Sequence, residues 1–223
     1  MLAVVGQLLP LMLAGALSTV PILVTITILL APRPTTSAIL FLIGWMIGLF
    51  LVTALFAFGV QSVTGVSLRR NQQAVGIAEI LIGSALITSG IVLAIRRPRR
   101  RDTVEGTPRW LRTVGRIKPV ASLGFGLLLN IRPKALLIAA AAGLIIGTSR
   151  LDPAETMIVL AVFTVVSGST VATPVVLAIA RPVAMRRRLE RAQQWIVRNS
   201  RAVTIVVLLV VGTFVLGDGL TRL

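Results

Sequence analysis

The sequence predicts an all-α, polytopic membrane protein in which six transmembrane helices form two inverted three-helix repeats, each opening with a broken helix. Three observations carry that prediction. The 223 residues are 56% hydrophobic and 13% charged, with a mean hydropathy of +0.95, so water is not the solvent for most of the chain. Apolar runs long enough to cross about 30 Å of hydrocarbon recur along the sequence without the strict alternation of a β-barrel, and helices then satisfy the backbone in lipid. Finally, the first run of each half is interrupted by a polar residue followed three positions later by proline, Ser18 and Pro21 in one and Asn130 and Pro133 in the other.

The second interruption is the more demanding. In Leu127-Leu128-Leu129-Asn130-Ile131-Arg132-Pro133-Lys134-Ala135-Leu136-Leu137 the chain sets two cations and an amide inside an apolar run. An Arg or Lys at the centre of a membrane helix costs about 2.5–3.5 kcal/mol on insertion scales, so it faces a partner, a water-filled cavity or a substrate. Pro133 has no N–H and collides with the preceding turn, which frees carbonyls there. On an unbroken helix Arg132 and Lys134 would diverge by about 200°; a break at Pro133 lets both turn inward. The competing reading starts the span later and leaves both cations as snorkelling anchors at the interface. Counted from Val120, however, Lys134 lies about 21 Å deep, and a start at Ala135 leaves about thirteen apolar residues to span. Interrupted segments at corresponding places in two halves point to a transport site where the repeats meet.

Span one, residues 3–30, has no basic n-region and is too long for a signal peptide, so it reads as a retained helix. It ends at the polar turn Ala31-Pro32-Arg33-Pro34. Span two, 37–60, carries Gly44, Gly48 and Gly59, where close helix approach is expected. A loop with Arg69 and Arg70 leads to span three, 74–95, which holds Glu79 just inside one end. Residues 96–119 form a basic linker, offset only by Asp102 and Glu105, between a repeat at 1–95 and a repeat at 120–223. Span four, 120–147, contains the cationic stretch. Span five, 154–180, carries Ser167, Gly168, Ser169, Thr170 and Thr173, which read chiefly as a small-residue packing face and otherwise as part of a substrate path. A second basic stretch, 181–201, reads as a loop before span six, 202–216, and a short tail. An odd number of spans per half turns the second triplet upside down relative to the first.

Of the 23 Lys and Arg, only Arg132 and Lys134 lie inside a span; Arg69, Arg70, Arg150 and Arg222 fall on one side and all the others on the opposite side. The positive-inside rule makes the richer side cytoplasmic and both termini external. The net charge of +16 does not point to nucleic acid, because the basic residues flank spans and lack interleaved aromatics. Topology alone selects for these cations, and their number also suits anionic lipid heads. Without cysteine or histidine there is no disulfide, thiol relay or usual soft-metal site. No phosphate loop, triad or paired intramembrane carboxylates appear either, so the expectation is a protein that is not an enzyme and carries no cofactor and no metal.

The candidate binding residues follow from the breaks. Arg132 and Lys134 are placed to hold an anionic head, with Asn130, Ser18 and Thr19 hydrogen-bonding around it and Pro21 and Pro133 shaping the two interruptions. For Ser18 and Thr19 the equal alternative is a proline kink healed by hydroxyl hydrogen bonds. Glu79, the only carboxylate well inside a span, lies about 7 Å from the outer edge, near the level of Lys134 at about 9 Å. It reads either as a structural ion pair with Lys134 or Arg132 or as a proton- or ion-coupling site.

Ala16-Leu17-Ser18-Thr19-Val20-Pro21, the turn Ala31-Pro32-Arg33, and above all Leu129-Asn130-Ile131-Arg132-Pro133-Lys134-Ala135 resemble the lysine exporter superfamily, and within it most of all the glycopeptidolipid-addressing protein family. Amino-acid exporters of that superfamily open their second half with Asn-Pro-Lys-Ala; here Ile131 and Arg132 intervene between Asn130 and Pro133. The added cation suits a phosphate or another anionic head better than a small zwitterion, because Arg offers a planar fork and Lys a point charge. The resemblance implies a six-span protein of the bacterial inner membrane that moves glycolipids or related lipids toward the surface. The expectation is therefore an exporter of a lipid or glycolipid with an anionic head, working by alternating access around spans one and four. Two alternatives stand beside it: an exporter of an amino acid or other small solute, and a non-transporting membrane subunit that recruits a lipid-export machinery through the 96–119 loop. The expected partners are the anionic lipid or glycolipid, membrane lipids at the basic loops, and further copies of the chain in a homo-oligomer.

Overall fold

Span one forms as two helices, α1 (Leu2–Ala16) and α2 (Thr19–Leu29), which meet at 47° across Leu17 and Ser18. α3 (Pro34–Thr64) and α4 (Gln72–Ile95) follow. Span four is broken in the same manner: α5 (Pro119–Leu128) tightens into a 3-10 turn at Leu129–Ile131, and α6 (Pro133–Thr148) leaves it at 70°. α7 (Pro153–Ala180) and α8 (Pro182–Leu220) complete the chain. This computed structural model describes residues 1–31, 34–64, 72–96, 119–149 and 151–221; most of the 96–119 linker, with Arg33, Arg69, Arg70, Arg150 and Arg222, lies outside them. Among the described residues the protein is all-α. α3, α4, α7 and α8 are each long and apolar enough to cross a membrane, and each bent pair qualifies as one broken span.

The prolines act differently from simple kinks. Pro133 is the first residue of α6 and Pro21 the third of α2, so each missing N–H falls in a first turn whose N–H groups have no intrahelical partner. The residue before Pro133 is driven to extended backbone, and Arg132 (φ −72°, ψ 147°) accordingly becomes the N-cap of α6. On the other side the N-cap is Ser18 (φ −73°, ψ 102°). The shared three-residue spacing thus aligns the prolines but not the caps.

In lipid the hydrophobic effect adds little between helices, so association depends on close van der Waals contact through small residues. α4 and α8 cross at Gly83 and Gly212: a Cβ on Gly83 would stand 2.8 Å from Gly212 O, and one on Gly212 would stand 3.0 Å from Gly83 O. α3 approaches the cationic stretch in the same way, since a Cβ on Gly48 would lie 2.6 Å from Asn130 Nδ2. Among the described residues nothing lies within 4 Å of where a Cβ on Gly59 would be, so the close approach expected there is not made by them. On that part of α3 the close contact comes from the facing helix, where a Cβ on Gly147 would meet Ala57 O at 2.6 Å. The outward faces are apolar, with Leu55, Leu81 and Val176 among the exposed large side chains.

The basic stretch 181–201 is not a loop. It forms the first half of α8, a 39-residue helix about 58 Å long, nearly twice the thickness of the hydrocarbon core. After Pro182 no glycine or proline occurs before Gly212, and the Arg, Leu, Ala and Gln between them are good helix formers. At the far end the helix runs on to Leu220 instead of stopping at residue 216. Arg201 braces the neighbouring helix, because its Nη2 donates to Leu93 O (2.8 Å), Ala94 O (3.3 Å) and Arg96 O, which satisfies carbonyls left open at the end of α4. Further back, Gln193 Nε2 donates to Thr27 Oγ1 (2.8 Å) and ties α8 to α2.

Candidate functional site

The two breaks meet at a cavity of about 290 Å³. Its walls come from the end of α1, the first turns of α2 and α6, the 3-10 turn, α3 and α8. Trp45, Leu49 and Ile138 supply apolar wall, while Ser18, Thr19, Asn130, Arg132, Lys134 and Thr204 supply the polar atoms. Among the described residues no Asp or Glu lines it, and its charged lining groups are the two cations.

Each polar group is placed by a local feature. Asn130 is 2% exposed, and its Nδ2 donates to Gly126 O (3.1 Å) and Trp45 O (3.2 Å). One N–H thereby ties the 3-10 turn to α5 and the other ties it to α3, so neither is available to a ligand and only its acceptor oxygen is left for that purpose. Arg132 donates from Nε to Leu129 O (3.0 Å), which fixes the guanidinium plane against the turn it follows. Among the described residues, neither its Nη groups nor Lys134 Nζ has a hydrogen-bond or ion-pair partner. The hydroxyls of Ser18 and Thr19 likewise make no hydrogen bond to the described residues, so the break in span one is not healed by its own hydroxyls. What relieves it is α7, where Thr170 Oγ1 donates to Ala16 O (2.5 Å).

The helix ends add to the same field. The first turns of α2 and α6 line the cavity through Thr19, Val20 and Pro21 and through Pro133, Lys134 and Ala135, and neither helix has a side-chain cap. A helix N-terminus carries roughly half a positive charge on its unpaired N–H groups, and such ends bind anions. Two of them, with a guanidinium and an ammonium, make a chamber suited to a compact anion with several acceptor oxygens.

The cavity thus brings together Ser18, Thr19, Pro21, Asn130, Arg132, Pro133 and Lys134. Glu79 is not among its lining residues. It is buried on α4 beside α8, its Cβ 2.9 Å from where a Cβ on Gly219 would stand. Depth in the bilayer suggests a meeting with Lys134, but equal depth leaves the direction in which a helix face points undetermined. Of the small residues on α7, Ser167, Gly168 and Thr170 face inward, Ser167 packing on Gly15, whereas Ser169 and Thr173 are exposed and bonded to their own helix. Gly15, Trp45, Leu49 and Thr204 also belong to the chamber, and the sequence does not mark them. Each sits in an apolar run with no break beside Trp45, Leu49 or Thr204, and Gly15 is two residues before the break proper.

What fold and chamber define is a multi-pass helical membrane protein with a cation-lined cavity at the junction of two broken spans. A family model described as Sap, sulfolipid-1-addressing protein, matches residues 8–221, and the chain belongs to that family, one of lipid-addressing proteins. No curated protein and no solved structure matches the chain.

Proposed function

We propose that this protein is a transporter that exports a lipid or glycolipid with an anionic head group across the bacterial inner membrane. The observation that carries the reading is a chamber at the meeting of two broken spans whose charged lining groups, among the described residues, are Arg132 and Lys134, reinforced by two uncapped helix N-termini. Discontinuous helices whose N-termini face an anionic substrate are a recurrent device of secondary transporters. The family's description speaks of a sulfolipid, and a sulfate ester is an anion with several acceptor oxygens, the chemistry this chamber offers. A zwitterionic amino acid is a poorer match, since its ammonium group would find no carboxylate in the lining among the described residues.

The repeats are 1–95 and 120–223, inverted relative to each other and joined by the basic 96–119 linker, in the lysine exporter superfamily. Supporting this is the exchange of packing partners: α3 packs on α5 and α6 as α7 packs on α1 and α2, α2 packs on α8 as α6 packs on α4, and α4 and α8 pack on each other. The basic side is cytoplasmic and the termini are external. In support, Arg201 reaches the end of α4 and Gln193 reaches Thr27 near the end of α2, so both helix ends lie against the basic half of α8. Exposed Arg186, Arg187, Arg188, Arg191 and Arg198 on the first half of α8 are the place where anionic membrane lipids bind.

The test is translocation by the purified full chain alone in proteoliposomes, followed with a sulfated glycolipid. Arg132→Gln and Lys134→Gln are each expected to abolish movement while membrane insertion and abundance stay unchanged. Unchanged transport in both variants refutes the site. An inactive but well-folded wild-type chain, active only with other proteins, favours the role of a subunit.

A further inference from the structure

The chamber is too small for a whole lipid. A methylene needs roughly the 30 Å³ share of a water molecule, so 290 Å³ takes about ten such groups, fewer than one long acyl chain carries. A sulfate against Arg132 and Lys134, with five heavy atoms, takes about half of that space, which leaves room for part of a sugar and none for a long chain.

The wall of the chamber is thin at both breaks. Around the 3-10 turn, Leu129, Asn130 and Arg132 line the cavity while Leu128 and Ile131 are 62% and 59% exposed. At the other break Ser18 faces the cavity and its neighbour Leu17 faces outward at 46% exposure. Adjacent residues thus separate a cationic interior from an apolar exterior, over the width of one side chain. α5, which leads into the turn, packs on α3 and leaves its other side uncovered among the described residues. Hydrocarbon leaving the chamber at this point meets Leu128 and Ile131, and beyond them the acyl region of the bilayer.

We propose that the chamber binds only the anionic head of its lipid, and that the acyl chains remain in the bilayer throughout, passing out of the chamber beside Ile131 and Leu128. This rests on the transport reading above and deepens it. Chains held in the membrane never enter water, which would cost about 0.8 kcal/mol per methylene. Only the head changes environment, and its charge is met by Arg132 and Lys134. The protein then selects by head chemistry and is indifferent to chain length.

The experiment uses the full chain in proteoliposomes with sulfated glycolipids of short, medium and very long acyl chains, scored by the arrival of the head at the far leaflet. A water-soluble sulfated sugar without chains serves as the binding probe. Translocation rates are expected to agree within about twofold across chain lengths, and Ile131→Trp is expected to slow all of them by about tenfold or more while leaving the affinity for the soluble sugar within about twofold. Leu128→Trp serves the same purpose if Ile131→Trp does not fold. A rate that falls about tenfold as the chain lengthens, or normal translocation in both Trp variants, overturns the proposal. No translocation of any lipid, together with no binding of the soluble sugar, instead removes the transport reading and this inference with it.

Discussion

Replacing Lys134 by Gln removes one of the two cations while preserving most of the side-chain length. Lys134 Nζ has no partner among the described residues, so its donors are free for a ligand; Arg132 spends Nε on Leu129 O and keeps both Nη groups. A hydrogen bond to a charged group contributes about 1.5–3 kcal/mol, which converts to roughly a 10- to 150-fold rise in Kd for each substitution. A bare Coulomb estimate at 4 Å and an effective dielectric constant of 20 gives about 4 kcal/mol, an upper bound that desolvation of both partners reduces. Because the two cations act on one anion, the effects of Arg132→Gln and Lys134→Gln are not additive, with a coupling of about 0.5–3 kcal/mol. Arg132→Lys keeps the charge but loses the Leu129 anchor and the planar fork, and falls between wild type and Gln. Trp45 lines the chamber and reports occupancy directly, so fluorescence titration with a sulfated sugar suffices once Trp110 and Trp195 are replaced by Phe. Affinities within about twofold of the parent for both Gln variants would show that the cations do not hold the head, and the reasoning would fail.

Other expectations test the parts that position the chamber. Asn130→Asp exchanges the buried NH2 group for one carboxylate oxygen that faces Gly126 O and Trp45 O; it is expected to lower thermal stability by about 3–5 kcal/mol equivalent, read by unfolding in detergent, and to weaken sulfated-sugar binding as the 3-10 turn loosens. Gly212→Val forces a side chain onto the backbone of Gly83 and Ile87 in α4, and is expected to cost about 1–3 kcal/mol or more in the same assay. Arg201→Ala opens the end of α4, with a loss of about 1.5–3 kcal/mol and faster amide exchange at Leu93 to Arg96. Glu79→Gln lies outside the chamber and leaves sulfated-sugar affinity within about twofold; a larger change would place the carboxylate in the binding machinery after all.

The parts of this protein visible in its sequence are those where the bilayer makes a residue expensive. Arg132 and Lys134 in an apolar run carry a cost in lipid that marks them in the sequence, and both line the chamber. The same logic locates both breaks, although it takes first-turn prolines for mid-helix kinks, because spacing alone does not reveal the cap. What escapes are matters of direction and continuity. Depth matches Glu79 to Lys134, but burial at the α4 and α8 crossing depends on which face of α4 carries Gly83, and one sequence does not fix that azimuth. Charge makes the 181–201 stretch read as a loop, yet charge does not end a helix; only glycine, proline or a cap does, and neither glycine nor proline follows Pro182 until Gly212. Thr204 and Trp45 reach the chamber from unbroken helices, where a single polar or aromatic residue carries no signal of its own.

An experimental structure of the full chain in nanodiscs containing a long-chain sulfated glycolipid would show whether an anionic head is seated between the two breaks. The predicted result is sulfate density about 3 Å from Arg132 Nη and Lys134 Nζ, with chain density leaving past Ile131 into the bilayer. A chamber closed by its own apolar side chains, with lipid bound only along the basic half of α8, would contradict it.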